Sequence, residues 1–257
     1  MIITKKTINK IKKKLIYTFY LLKYKKYFNN YKDCYKYCSS ITNNSYEDNY
    51  LNNYRLKKFL YNKNNIPYIY KPSYKFLLEA ILMFMSKNNK IPKIIDFGGG
   101  FGDAALYLRK LFNFNNYSYC VVETENLCRM AKLIKEKYIY FFSNLDLAIK
   151  NFSPDIIYTN QVIQYLEEPY EIIQKFKKSS VKLIVMTSNS FSKNNEIFSQ
   201  PSLLSDNGAG EHVKSYKDKL IIYPHTKIDK EKIKNYLKKK YSLIIDDVSG
   251  DLIFAIK

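Results

Sequence analysis

Tryptophan is absent from this 257-residue chain, which has only 7 glycines, 2 histidines and 3 arginines. No apolar run approaches the roughly 20 residues of a bilayer-spanning helix, so we expect no transmembrane segment. The apolar residues 15–22 are followed by no small-residue cleavage site, which argues against a secretory signal. The 4 cysteines form no Cys-x-x-Cys pair, and we expect free thiols in a reducing cytoplasm and no bound metal. A metal held by Cys34 and Cys38 is the alternative, but no histidine lies near them in the sequence.

The net charge of +20 is typical of proteins that bind nucleic acids or anionic lipids. Arginine, the preferred residue for bidentate phosphate contacts, is nevertheless scarce. Abundant asparagine, isoleucine and tyrosine are what an AT-rich genome encodes in any protein. The overall charge is therefore weak grounds for assigning a nucleic-acid partner.

Residues 4–27 interleave lysines with isoleucine, leucine and phenylalanine. This composition is typical of a helix that lies on an anionic membrane surface. A helix that packs on the protein with a solvated lysine face is the alternative. We accordingly expect a cytoplasmic protein with a possible peripheral contact at the inner face of the membrane.

Four of the 7 glycines are clustered in one short segment, at Gly98, Gly99, Gly100 and Gly102. They separate a predicted strand from a predicted helix, where glycine permits positive φ and lets a ligand lie against bare backbone. No Gly-Lys-Ser/Thr ending follows, so this is not a phosphate-binding Walker loop. The dinucleotide pattern G-x-G-x-x-G also fails, because Asp103 occupies its last position.

The pattern that is present runs Asp96-x-Gly98-x-Gly100-x-Gly102. It closely resembles the first motif of the class I S-adenosylmethionine-dependent methyltransferases. The resemblance implies that Asp96 orients the amino-acid part of S-adenosylmethionine and that the glycine loop, Gly99 included, passes beneath the cofactor. A carboxylate at this position suits a cofactor that carries an ammonium and a sulfonium. A glycine-rich turn without a ligand is the alternative.

A second predicted strand ends in Glu123, 27 positions after Asp96. This is near the spacing at which nucleotide-binding βαβ units place a carboxylate on the ribose hydroxyls. Two carboxylate oxygens can accept hydrogen bonds from both the 2′ and 3′ hydroxyls. Thr124 adjoins this site, and Glu125 is a competing candidate for the same role. The alternative is that Glu123 is a solvated carboxylate at a strand end and binds no ligand.

The turns after the third and fourth predicted strands carry the remaining candidate cofactor residues. The resemblance implies that Asn144 and Leu145 contact the adenine, although Asn144 could equally be a helix N-cap. Asn160 and Gln161 follow the fourth strand, and residues 162–169 resemble the segment that closes over the cofactor's reactive end in small-molecule methyltransferases. Asp96, Glu123, Asn144 and Asn160 all fall at strand ends, where open α/β sheets bind ligands.

Five strands alternate with helices and are followed by a hairpin at residues 243–256, which predicts an α/β fold. In terms of the resemblance this is a Rossmann-like class I methyltransferase domain with a mostly parallel seven-stranded sheet and a C-terminal antiparallel hairpin. We place that domain at residues 72–257 and a basic helical extension at residues 1–71. Residues 187–210 are polar and predict a long loop that contacts substrate or forms a lid.

The motifs around Asp96, Glu123 and Val162 are also similar to a group of bacterial methyltransferases associated with cell-surface polysaccharide synthesis. We therefore expect O-methylation of a small molecule or glycan, with His225 as the preferred base and His212 as the other candidate. An RNA methyltransferase is the first alternative, although the Asn-Pro-Pro-Tyr motif and catalytic cysteine of nucleic-acid enzymes are missing. A non-catalytic S-adenosylmethionine-binding protein is the second. The sequence does not indicate the oligomeric state.

Overall fold

Helices cover both faces of the central sheet, which explains why its inner strands are almost continuously apolar. Residues 119–122 and 183–187, for example, are buried at every position. The structure is a computed structural model that describes residues 5–42, 49–65, 74–112, 118–179, 181–203 and 219–257.

The elements alternate along most of the chain. The helices are α1 (Lys5–Tyr24), α2 (Tyr31–Ile41), α3 (Asn49–Asn65), α4 (Lys75–Asn88), α5 (Asp103–Phe112), α6 (Glu125–Ala131), α7 (Leu145–Phe152), α8 (Pro169–Lys178) and α9 (Lys230–Leu237). The strands are β1 (Tyr27–Phe28), β2 (Ile94–Phe97), β3 (Tyr119–Val122), β4 (Ile139–Phe142), β5 (Ile156–Asn160), β6 (Leu183–Thr187), β7 (Phe191–Ser192), β8 (Glu196–Leu203), β9 (Leu220–Asp229), β10 (Tyr241–Asp246) and β11 (Leu252–Ile256).

The main sheet has seven strands in the order β10-β11-β6-β5-β2-β3-β4. Strands β2 to β6 run parallel to one another, whereas β11 is antiparallel to both β6 and β10. The predicted mostly parallel seven-stranded sheet with a C-terminal antiparallel hairpin is therefore confirmed. Parallel strands place their carboxyl ends along one edge, and that edge carries the glycine loop after β2.

The prediction of a loop over residues 187–210 is wrong for the part that the structure describes. Residues 191–192 and 196–203 form β7 and β8, which pair with β9 in a second sheet of order β1-β8-β9-β7. The polar composition of β8 concealed the strand, because Ser199 is buried and bonds to the backbone of Tyr24 and Lys26. Residues 204–218 lie outside the described residues.

The N-terminal helices pack against this second sheet. On α2, the buried Cys34 and Cys38 lie against Ile222 of β9. None of the described helices is long and apolar enough to cross a membrane. The proposed boundary between residues 71 and 72 falls outside the described residues, so the division into two domains stays a prediction.

Candidate functional site

Four of the sequence-predicted residues lie along one edge of the main sheet. Asp96 is the last but one residue of β2, Glu123 directly follows β3, Asn144 follows β4, and Asn160 ends β5. These strands are consecutive neighbours in the order β5-β2-β3-β4. The parallel register therefore brings together residues that are up to 64 positions apart in the chain (160 − 96).

The glycine loop is fixed by its backbone conformation and by one close contact. Gly98, Gly100 and Gly102 have φ of +76°, +61° and +89°, in the region that favours glycine. A Cβ on Gly98 would lie 2.3 Å from Cγ2 of Val162, whereas a Cβ on Gly100 would meet no atom of the described residues within 4 Å. Gly98 thus permits the segment after β5 to close on the loop, and Gly100 presents bare backbone to open space.

Asp96 lies beneath the loop and is only 3% exposed. Its Oδ2 accepts a 2.8 Å hydrogen bond from the Tyr119 hydroxyl, and a Cβ on Gly99 would lie 2.4 Å from its carboxyl carbon. Burial raises the pKa of Asp96 from its ordinary 3.8 to about 7; the Tyr119 bond opposes this rise, and the charges of Glu123 and Asp103 add to it. A carboxyl with such a pKa is only partly ionised at neutral pH, and a nearby positive charge would favour its ionised form.

Glu123 ties the second strand end to the glycine loop. Its Oε1 accepts from the Gly100 N–H at 3.1 Å, and its Oε2 accepts from the Thr124 N–H at 3.0 Å. Thr124 in turn caps α6, since its hydroxyl accepts from the Leu127 N–H at 3.4 Å. The half-buried Glu123 carboxylate therefore faces the same opening as Gly100, while Glu125 is exposed.

The remaining candidates have evident structural roles. Asn144 is the N-cap of α7, because its Oδ1 accepts from the Leu147 N–H at 3.0 Å, and Leu145 is buried. Asn160 Oδ1 accepts from the Thr187 hydroxyl at 3.0 Å. Gln161 is exposed and has φ of +57°, which turns the chain sharply at the strand end. The N-cap alternative for Asn144 is thus observed, and it holds that residue at the sheet edge.

A cleft of about 600 Å³ opens between α6 and α7 beside β4. Its walls include Asn144, Glu125 and the two phenylalanines that end β4, so it combines polar and apolar surface. The cleft adjoins the end of β4, next to Asn144, which is predicted to contact the adenine. Its lining residues are Glu125, Cys128, Arg129, Ala131, Lys132, Ile134, Phe141, Phe142, Ser143, Asn144 and Leu147.

His225 lies in β9 and is 6% exposed. Its ring packs against Tyr165 at 5.2 Å and Phe198 at 4.7 Å between centroids. Within the described part of the chain neither ring nitrogen has a hydrogen-bond partner. Burial, together with the charges of Lys227 and Lys25, lowers the pKa of His225 from 6.5 to about 4, so the imidazole is neutral at physiological pH. His212 lies outside the described residues.

A short 3-10 helix, Ile163–Tyr165, connects this histidine to the glycine loop. It begins directly after Val162, which contacts Gly98, and it ends at Tyr165, which contacts His225. Gln164 on the same turn is 3% exposed, and its Oε1 has no partner among the described residues. Sequence reasoning missed Gln164, although it singled out the segment that contains it.

Helix α3 was also missed as part of this region. Asn49 at its start accepts a 2.9 Å hydrogen bond from Asn126 of α6, and Asn62 near its end donates to Asp103 of α5 at 3.3 Å. Tyr54 packs in the cluster that includes Tyr165. The helix is thus attached to the first turns of both helices that follow β2 and β3. No sequence signal could have placed it there, because the contacts join distant segments.

No model of a known protein family matches the sequence, and no curated protein sequence matches it. Among solved structures, DesVI of Streptomyces venezuelae aligns with a TM-score of 0.50 and 10% identity, covering 78% of this chain and 97% of that one. SAM-bound CalS10, an amino pentose methyltransferase from Micromonospora echinaspora, gives 0.49 and 8%, covering 79% and 97%. The N-terminal domain of EvdMO1 with SAH bound gives 0.43 and 10%, covering 74% and 82%. At 10% identity the likeness to DesVI shows the fold alone, a Rossmann-like α/β fold with a mostly parallel seven-stranded sheet.

Proposed function

We propose that this chain is an S-adenosylmethionine-dependent methyltransferase that methylates an oxygen of a small molecule or glycan. One observation carries the proposal: the bare backbone at Gly100 opens between two strand-end carboxylates, Asp96 and Glu123. One of these carboxylates is buried, and the other is held at the loop by a backbone N–H. Paired in this way, they suit a nucleoside that carries a positive charge.

The described residues fit this cofactor. In this proposal the Asp96 carboxylate would bind its ammonium, and Glu123 would accept hydrogen bonds from the ribose hydroxyls. Asn144 and Leu145 would border the adenine, next to the cleft between α6 and α7. Bound S-adenosylmethionine supplies an activated methyl group on a sulfonium. The segment that starts at Val162 would exclude water from that end of the site.

The acceptor is proposed to bind between the 3-10 helix Ile163–Tyr165 and the second sheet. The buried amide of Gln164 and the imidazole of His225 lie on this side, with polar atoms that have no partner among the described residues. A neutral imidazole can take the proton of an acceptor hydroxyl as the oxygen attacks. A precursor of cell-surface polysaccharide is our proposed acceptor class, and His212 stays a second candidate base.

We also propose a cytoplasmic location, with residues 4–27 as the segment that contacts an anionic membrane at its inner face. Nucleic acid is not part of the proposal, because the Asn-Pro-Pro-Tyr motif and the catalytic cysteine of nucleic-acid methyltransferases are missing from the segment after the fourth strand.

The cofactor assignment is tested by replacing the two neighbouring acids. We expect Glu123→Ala to weaken binding of S-adenosylhomocysteine by about tenfold to a hundredfold, since hydrogen bonds to a charged group are worth about 1.5–3 kcal/mol. Glu125→Ala tests the competing acid and should lose less affinity than Glu123→Ala, because Glu125 is exposed and lies in the wall of the cleft, whereas Glu123 is bound to the glycine loop. Isothermal titration calorimetry measures both. A wild-type protein that binds no S-adenosylhomocysteine contradicts the proposed function; equal losses in the two variants contradict the role of Glu123.

The role of His225 is tested by removing its side chain. We expect His225→Ala to lower turnover by about 10²–10⁴-fold, the usual contribution of a general base, and to leave S-adenosylhomocysteine affinity unchanged. Because the pKa of His225 is about 4, wild-type turnover should show no loss of this base between pH 5 and pH 8. Formation of S-adenosylhomocysteine with a panel of nucleotide sugars and glycans as acceptors provides the assay.

Two controls separate catalysis by His225 from packing. Thr226 is the next residue on β9 and is also buried, but its side chain points to the opposite face of the strand. Thr226→Ala should therefore keep its turnover, and added imidazole should restore part of the activity of His225→Ala. If His225→Ala has the wild-type turnover per folded molecule, His225 contributes only to packing and is not the base.

A further inference from the structure

Helix α1 has two different faces. One face lies toward the protein body and carries half-buried tyrosines at positions 17, 20 and 24. The opposite face carries four apolar side chains at helical spacing that are at least half exposed. These are Ile11 (51% exposed), Leu15 (65%), Phe19 (56%) and Leu22 (83%).

The apolar stripe is exposed although α1 is firmly attached to the rest of the protein. The carboxyl end of α1 is attached to β8, because the Ser199 hydroxyl donates to the Tyr24 carbonyl at 2.6 Å. The same oxygen accepts from the Lys26 N–H at 2.9 Å, and the Ser199 N–H donates to the Lys26 carbonyl at 2.9 Å. These bonds fix which face of the helix points outward, so the apolar stripe is held away from the core.

The charge around the stripe has one sign. The first 32 residues contain 10 lysines and no acidic residue. Lys12, Lys14 and Lys23 are exposed beside the stripe, and the Lys23 ammonium lies 5.7 Å from the centroid of the Phe19 ring. An apolar stripe bordered by lysines matches a surface that is apolar inside and negative outside.

We infer that the Ile11–Leu22 face of α1 docks onto the surface of an anionic lipid bilayer. An RNA partner would use the lysines but gain nothing from four exposed aliphatic and aromatic side chains that include two leucines. A second copy of the chain would bring two acid-free, lysine-rich helices together, and their like charges would oppose that contact. An anionic bilayer would both bury the apolar stripe and attract the lysines that border it.

This inference rests on the membrane contact proposed above, to which it assigns one face of α1, and it does not depend on methyl transfer. It does, however, connect two parts of the molecule, because β8 holds α1 through Ser199 and packs Phe198 against His225. If the proposed function is also correct, docking places His225, and with it the proposed acceptor side, near the bilayer.

The test uses the full-length protein without cofactor and two kinds of vesicle. We expect it to sediment with vesicles of equal parts phosphatidylglycerol and phosphatidylcholine, and not with phosphatidylcholine alone. Leu15→Ser/Leu22→Ser should lower the partition coefficient at least about tenfold, because burying a single leucine side chain in the bilayer raises that coefficient by about tenfold or more. Leu82→Ser, at a 54% exposed leucine of α4, is the matched control and should bind as the wild type does.

Several results would overturn the inference. These are equal binding by the double variant, equal binding to uncharged vesicles, or absence of binding by the wild type. Dimerisation that is lost in Leu15→Ser/Leu22→Ser, measured by sedimentation velocity, would assign the stripe to a second copy instead. Thermal melting of both variants must match the wild type, which is expected because all three leucines are exposed.

Discussion

Gly98→Ala is expected to destabilise the protein by about 2–5 kcal/mol and to abolish binding of S-adenosylhomocysteine. The new Cβ would lie 2.3 Å from Cγ2 and 2.9 Å from Cγ1 of Val162, closer than atoms can approach. Overpacking of this kind costs about 1–3 kcal/mol, and the φ of +76° adds about 1–2 kcal/mol for a residue with a side chain. Urea unfolding measures the first effect and calorimetric titration the second.

Gly100→Ala is the matched control. Gly100 also has a positive φ, +61°, but a Cβ there would meet no atom within 4 Å in the part of the chain that the structure describes. We expect a loss of only about 1–2 kcal/mol of stability, together with weaker S-adenosylhomocysteine binding because the methyl group enters the open space. Both substitutions should therefore weaken binding, but Gly98→Ala should cost much more stability than Gly100→Ala.

A second-site variant identifies the cause at Gly98. Val162→Ala removes both methyl groups that the new Cβ would meet, so it should recover most of the overpacking cost of Gly98→Ala but none of the φ cost. The expected coupling between the two substitutions is favourable and about 1–3 kcal/mol. Equal destabilisation by Gly98→Ala and Gly100→Ala would contradict the close approach of the loop and the segment after β5.

The main sheet and its edge could be predicted because their signals are local. Short apolar strands, glycines and strand-end acids occur within a few residues of each other around Asp96 and Glu123. The order of alternating strands and helices then leaves few arrangements for the sheet. The position of Asn144 and Asn160 at the same edge follows from that order alone.

The second sheet could not be predicted, because its strands depend on partners far away in the chain. Strand β8 contains Ser199, Gln200 and Pro201, a composition typical of a loop. Its backbone is paired with β9 on one side and β1 on the other, and Ser199 bonds to residues 173 and 175 positions earlier. Periodicity within a single segment carries no information about such contacts.

For Asp96 the sequence predicts the residue's position in the fold but not its surroundings. The sequence predicts an acid at the end of β2, but not the Tyr119 hydroxyl bound to it or the burial that raises its pKa to about 7. That pKa has a direct consequence for stability. Between about pH 4 and pH 7 the folded protein keeps a proton on Asp96 that the unfolded chain has lost, so this group makes folding less favourable as the pH rises.

We therefore expect Asp96→Asn to stabilise the protein and to weaken cofactor binding. The amide is neutral at every pH and can still accept the Tyr119 hydrogen bond. Its advantage in unfolding free energy should grow from pH 4 to pH 7 and then level off, with an upper limit of about 4 kcal/mol at pH 8. Urea unfolding of both proteins across this pH range measures the difference.

Cofactor binding should show the opposite preference. A bound ammonium favours the carboxylate, so wild-type affinity for S-adenosylhomocysteine should fall as the pH drops below about 7, and binding at pH 6.5 should release protons. Calorimetry in two buffers with different ionisation enthalpies detects that release, which Asp96→Asn should abolish while binding at least about tenfold more weakly. If Asp96→Asn binds as tightly as the wild type and releases the same protons, the buried carboxyl does not meet the cofactor's charge. In that case the stability that an ionised Asp96 costs the folded protein is not offset by cofactor binding.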